Sequence, residues 1–189
     1  MIAKYGEIFT LGQHRLMCGD STKPQDVSRL MQDTRAKLLF TSPPYSDIYE
    51  YSGNDLTPAH LAEFIPAFRN NAEIMCVNLG LKKHNHEIIT YWDEYISAAH
   101  SCGLKLLSWN VWDKLNPGSI VQQQYMFPLR HEFIFVFCEK PQKLNDTVRK
   151  KCPTPNRTHR PVRQKDGSTR YTTAKYNTRT HKPLESVIM

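Results

Sequence analysis

The chain has 189 residues, of which 40% are hydrophobic and 11% aromatic, enough for one domain with a real core or for a domain with an appendage. No apolar run approaches the ~20 residues of a membrane span, and the start, Met1 to Glu7, lacks the long apolar stretch of a secretion signal. The net charge of +7 is unevenly placed: residues 1–139 hold 12 Lys/Arg and 15 Asp/Glu, whereas residues 140–189 hold 13 Lys/Arg and 3 Asp/Glu.

In chain order, Glu7 to Leu11 and Arg15 to Cys18 flank Gly12-Gln13 and predict a small hairpin. Lys23-Pro24 opens a helix that runs to about Leu30-Met31. Lys37 to Phe40 is a short apolar strand. Asp47 to Leu56 reads as a polar loop containing Tyr49, Tyr51 and Gly53. Thr57-Pro58 supplies the cap and first position of a helix through Phe68. Ile74 to Leu79 is a buried strand. Lys82 to Glu87 reads as a polar loop, not a metal cluster, because adjacent residues rarely converge on one ion. Ile88, Ile89, Trp92, Tyr95, Ile96 and Ala99 recur at helical spacing, so a helix is expected to about Ser101, ended by Gly103. Leu104 to Trp112 and Glu132 to Phe137 are further strands. The alternation argues an α/β sheet covered on both faces. Trp109 and Trp112 read as packing residues at a strand end. Cys18, Cys76, Cys102, Cys138 and Cys152 are widely spaced and read as bland thiols in a reducing cytoplasm, with no metal expected.

The most informative segment is Thr41-Ser42-Pro43-Pro44-Tyr45, at the end of the Lys37–Phe40 strand. Each proline fixes its own φ and holds the residue before it extended. Neither proline has an N–H, so the turn presents carbonyl acceptors with few competing donors. The Ser42 hydroxyl and the Tyr45 ring complete a site suited to an amino group on a flat ring. Such an amine is a poor nucleophile because its lone pair is delocalised. Two acceptors on its two N–H groups, Ser42 Oγ and the Pro43 carbonyl, can draw the nitrogen toward tetrahedral geometry. A base in a duplex reaches such a loop only when flipped out. By itself the tetrapeptide also suits a stiff turn in an unrelated protein.

The segment resembles the catalytic motif of the amino-group DNA methyltransferases, which make N4-methylcytosine or N6-methyladenine from S-adenosylmethionine. The Ser-Pro-Pro-Tyr form is more similar to the cytosine-N4 enzymes; an adenine-N6 enzyme is the alternative. Four more segments are similar in the family's order. They are Gly12-Gln13-His14-Arg15-Leu16 with Gly19-Asp20-Ser21, Trp112-Asp113-Lys114, Arg130-His131-Glu132, and His181-Lys182-Pro183-Leu184-Glu185, with His181 where the family usually has Gln. The resemblance implies a Rossmann-like methyltransferase sheet, permuted and incomplete, over residues 1–139. It implies a basic, irregular target-recognition segment over 140–189 that leads into the start of the cofactor half. Ser42, Pro43, Pro44 and Tyr45 would be catalytic. Asp20, Lys182 and Pro183 would lie at the cofactor, although a turn aspartate explains Asp20 as well.

Double-stranded DNA is the implied partner. Tyr49 and Tyr51 could line the base pocket, and Lys150, Lys151, Arg157, Arg160 and Arg163 could track phosphates. A solvated tail without a partner is the plainer account of that charge. The family's Phe-x-Gly-x-Gly cofactor loop is absent: no two of the eight glycines stand one residue apart. The strand that would flank Leu38-Leu39-Phe40 is then missing too, leaving an exposed apolar edge open to a second polypeptide or a second copy. A subunit of a split enzyme, a non-catalytic DNA-binding remnant and a decayed gene product all remain open.

Overall fold

The computed structural model describes residues 2–44, 57–85, 87–114, 131–141, 149–151, 159–173, 181–183 and 187–188. Two compact units divide the chain: Met1–Pro141 with Ser186–Met189, and Gln142–Glu185.

The first unit opens with a hairpin of β1 (Ile8–Leu11) and β2 (His14–Met17), turning at Gly12 with φ 63°. Helix α1 (Pro24–Met31) starts on Pro24, whose missing N–H costs nothing in a first turn. Strand β3 (Ala36–Thr41) follows. The single helix expected from Thr57 to Phe68 is instead two short ones, α2 (Pro58–Ala62) and α3 (Phe64–Ala67). Pro66 has no N–H to give a carbonyl one turn back, so a continuous ladder cannot pass it. Thr57 caps α2 as expected, its Oγ1 accepting from the His60 amide at 3.2 Å.

Strand β4 (Ala72–Leu79) is the buried apolar run. The segment read as a polar loop folds as a hairpin, β5 (Lys82–His84) with β6 (Glu87–Ile89), turning through Asn85 at φ 48°. Ile88 and Ile89 therefore belong to a strand, and helix α4 is shorter than its periodicity suggested, Trp92–Ser101. Helical spacing continued by chance into a strand, where two adjacent apolar residues fit either period. Gly103, at φ +80°, ends α4 as expected. Strands β7 (Lys105–Asp113) and β8 (His131–Cys138) complete the run.

Near the end come β9 (Arg149–Lys151), β10 (His159–Arg163), β11 (Thr169–Thr173), β12 (His181–Pro183) and β13 (Val187–Ile188). The last of these joins the first unit's sheet, whose order is β13-β7-β8-β4-β3. It is mixed: β3 runs parallel to β4, β13 parallel to β7, and β8 antiparallel to both its neighbours.

The register decides which residues meet. Met75 pairs with Phe137 and Val77 with Phe135, so these four share a face. Against them pack Leu61, Phe64 and Ile65 from α2 and α3, and Tyr95 and Ala99 from α4. Trp109 of β7 touches the rim of this cluster, its ring centroid 4.8 Å from Phe135 and 5.5 Å from Phe133, but it is 45% exposed, so the expected packing role is only partly met.

The opposite face is different. Leu38 and Phe40 point that way and are 52% and 61% exposed, while Leu39 between them packs on the core. The expectation of a sheet covered on both faces is therefore corrected at β3. Its apolar run is not a sign of two-sided burial: one face packs on the core through Leu39 while the other stays open to solvent, and at the sheet edge β3 has one neighbour, β4, among the described residues.

In the second unit, β10 and β11 form an antiparallel hairpin and β9 pairs antiparallel with β12. The segment expected to be irregular thus holds paired strands. Thr169, Tyr171, Thr172 and Thr173 are residue types that suit a pleated surface, which offsets the polarity of the segment. No described helix is long and apolar enough to cross a membrane.

Candidate active site at the Ser42 end of the sheet

Parallel strands bring their carboxyl ends to the same sheet edge, where ligands of open α/β sheets bind. β3 and β4 do this with Thr41 paired to Val77. The next residues, Ser42 and Asn78, stand side by side. Ser42 is exposed, Pro43 buried and Pro44 exposed, so the turn is anchored by one proline and offers the serine to solvent.

A polar network spreads from Ser42 across the sheet. Asn78 Nδ2 donates to Ser42 Oγ at 3.5 Å and to Glu132 Oε2 at 2.6 Å. Lys114 Nζ is ion-paired to the other carboxylate oxygen of Glu132. The same ammonium lies over the Trp112 ring, 5.5 Å from its centroid. Asn78 is 4% exposed, and its Oδ1 is a buried acceptor without a hydrogen-bond partner among the described residues. Three segments far apart in sequence, at Ser42, at Lys114 and at Glu132, thus converge on one sheet end.

Asn78 went unremarked in the sequence. The signal was there: one amide in the apolar run Ile74-Met75-Cys76-Val77-Asn78-Leu79, and a buried polar residue is the informative kind. Glu132 and Lys114 were visible only as parts of motifs. On the same strand, burial pushes the Cys76 thiol above the usual range, which keeps it an inert thiol.

A second cluster surrounds Asp20. Its Oδ1 accepts from the Thr22 amide at 3.0 Å and the Thr22 hydroxyl at 2.7 Å, a turn that feeds α1. Those bonds, with the Thr22 hydroxyl first, hold the Asp20 carboxyl below its usual range. Buried Asp26 accepts from the Tyr5 hydroxyl at 2.5 Å and from the Asp20 amide at 2.9 Å. The Tyr5 bond chiefly lowers its carboxyl. At Gly19 the backbone runs close to this cluster: a Cβ there would lie 3.1 Å from Asp26 Oδ2, a tight approach. Beside the cluster is a cavity of about 90 Å³, lined in part by Gly19, Asp20, Asp26, Leu30 and Phe68.

The other expected site residues are placed as follows. Tyr45, Tyr49, Tyr51 and Arg157 lie outside the described residues. Lys150 and Lys151 are in β9, paired with Lys182 and His181 of β12, and Pro183 pairs with Arg149. Asp20 and the Lys182-Pro183 pair belong to different units. Arg160 and Arg163 are on β10, opposite Thr172 and Thr169 of β11, and Arg163 is exposed.

No protein-family model matches this sequence. No curated protein matches it either. Solved structures that it is similar to include PvuII DNA methyltransferase (cytosine-N4-specific), at 13% identity and a TM-score of 0.46 over 60% of this chain and 47% of that one. Another is M1.HpyAVI in complex with SAM, at 15% identity and a TM-score of 0.42 over 64% and 50%. A third is TTHA0409 of Thermus thermophilus, described as a DNA modification methylase, at 16% identity and a TM-score of 0.44 over 66% and 53%. The chain spans about half the length of each.

Proposed function

We propose that this chain is the catalytic part of an amino-group DNA methyltransferase, with a Rossmann-like sheet in permuted order. It would act on the exocyclic amine of a flipped base, cytosine N4 in the first reading and adenine N6 in the alternative. One observation carries the reading: Ser42, exposed beside a buried proline at a strand's carboxyl end, sits in one network with Lys114 and Glu132, which belong to two of the other segments that resemble the family's.

The chain's own part in the reaction is positional. Ser42 Oγ and the Pro43 carbonyl accept the two N–H groups of the target amine and free its lone pair. Tyr45 stacks on the base, and Tyr49 and Tyr51 line its pocket. The released proton leaves to water. S-adenosylmethionine supplies the electrophilic methyl group when bound.

The residues present fit part of that cofactor. Asp20, beside a cavity of about 90 Å³, suits a polar edge of a small ring system, with Lys182 and Pro183 the other candidates. A whole ligand pocket measures about 300–1,000 Å³, and no glycine-rich loop is in the sequence. In this reading, the rest of the pocket would come from residues other than these. The open side of β3, with Leu38 and Phe40 exposed, is where a strand of a second polypeptide or a second copy would add.

DNA would be held by the basic segment, through Lys150, Lys151, Arg157, Arg160 and Arg163. A non-catalytic DNA-binding remnant is the second reading, favoured by the small cavity at Asp20.

Calorimetry of S-adenosylmethionine against purified 1–189, with and without duplex DNA, separates these. No binding to a folded chain, followed by binding once the partner is added, is the expected outcome. Binding to the chain alone refutes the shared pocket, and methyl transfer absent in every complemented mixture refutes the enzyme.

A further inference from the structure

Asn78 holds a position that its own stability argues against. Its Oδ1 is buried without a partner among the described residues, an arrangement that costs free energy unless something else requires the amide. The requirement is visible in the other half of the side chain. Nδ2 faces Glu132 at 2.6 Å and Ser42 at 3.5 Å. An amide turned the other way would set Oδ1 against the oxygen atoms of the Glu132 carboxyl group, which pairs with Lys114. Lys114 and Glu132 together therefore lock the amide with its donor end toward Ser42.

We propose that Asn78 is a positioning residue for Ser42, a donor held by Glu132 and Lys114 that fixes the Ser42 oxygen as an acceptor for the incoming amine. The inference rests on the methyl-transfer reading for the identity of that amine, but not for the orientation itself. A serine hydroxyl is both donor and acceptor and rotates to suit its neighbours. If it swings its O–H onto the amine, the nitrogen lone pair is tied up and the chemistry stops. A fixed donor on the protein side takes one Oγ lone pair and bars the O–H from that direction, which narrows the positions the hydroxyl can adopt. The 3.5 Å contact is long, as catalytic hydrogen bonds often are before the substrate complex forms.

The test uses the full chain with Asn side chains labelled with nitrogen-15, and four variants: Ser42→Ala, Asn78→Leu, Glu132→Gln and Ser42→Ala/Asn78→Leu. Leucine matches the branching of asparagine and removes the orphan acceptor. The thermal midpoint of Asn78→Leu establishes that the variant folds. The Asn78 side-chain amide signals are expected to shift in both Ser42→Ala and Glu132→Gln. Signals unmoved by either change overturn the proposal.

In the complemented enzyme, kcat is expected to fall about tenfold in Asn78→Leu, the worth of one ordinary hydrogen bond, with KM for DNA unchanged. In the Ser42→Ala background the same substitution should have no further effect. Additive losses overturn the coupling. A wild-type chain inactive under all conditions, with both amide shifts present, overturns the methyl-transfer reading and upholds the orientation of Ser42. Full activity with silent amide signals does the reverse.

Discussion

In the proposed reaction, Ser42 is the residue on which the chemistry turns. It is a single hydroxyl at the end of a strand, and its neighbours give it direction rather than reactivity. Ser42→Ala is expected to lower methyl transfer in the complemented enzyme by about 100-fold or more, the scale of losing one preorganised hydrogen bond at a reacting group. DNA binding, measured by fluorescence anisotropy, should be unchanged. Loss of both together would remove Ser42 from the chemistry. Asp26 plays a different part at this scale. Its bonds from the Tyr5 hydroxyl and the Asp20 amide tie the first strand region to α1. They lower its carboxyl in the folded state, so the unfolded chain binds the proton more readily. The stabilisation is then present above about pH 4, the unfolded value, and is lost as pH falls through the lower folded value. Asp26→Asn should lower the thermal midpoint at pH 7, with the gap to wild type closing toward pH 3. An equal gap at both pH values would show that the charge is not what matters.

Among the elements, β8 and β3 show the two fates of an apolar strand. β8 is flanked on both sides, and Phe135 and Phe137 are fully buried. Phe135→Ala, which also removes the contact to Trp109, should cost about 3–5 kcal/mol in urea unfolding. A cost below about 1 kcal/mol would mean that this face is not the core. β3 carries the same kind of sequence, Leu38-Leu39-Phe40, with one described neighbour. Phe40→Lys should leave stability nearly unchanged, since the side chain is 61% exposed, and should reduce self-association or partner capture in sedimentation experiments. A charged edge that still recruits the partner would move the docking surface elsewhere.

For the whole molecule, the argument concerns charge. Residues 1–139 carry a net −3 and residues 140–189 a net +10, from the counts of 12 against 15 and 13 against 3. Neutral substitution of Arg160 and Arg163 should weaken DNA binding about uniformly across sequences. It should reduce the slope of log affinity against log salt by about one for each phosphate left without its arginine. An unchanged slope would take β10 away from the DNA.

Local features were legible in the sequence for local reasons. Pro24 and Thr57 mark helix starts, Gly103 a helix end, and Gly12-Gln13 a hairpin, since each acts through its own backbone. The alternating elements gave the α/β class, and Ser42 to Pro44 stood out because two prolines leave a turn little freedom. The tertiary structure decided what depends on register and neighbours. Pro66 broke a helix in two, Ile88 and Ile89 went to a strand, and β3 ended at an edge with one side bare. Asn78, one amide in an apolar run, acquired meaning only when pairing placed it between Ser42 and Glu132. Residues 54 positions apart meet by strand order, and strand order is set by which faces can be buried together, a property of the whole chain.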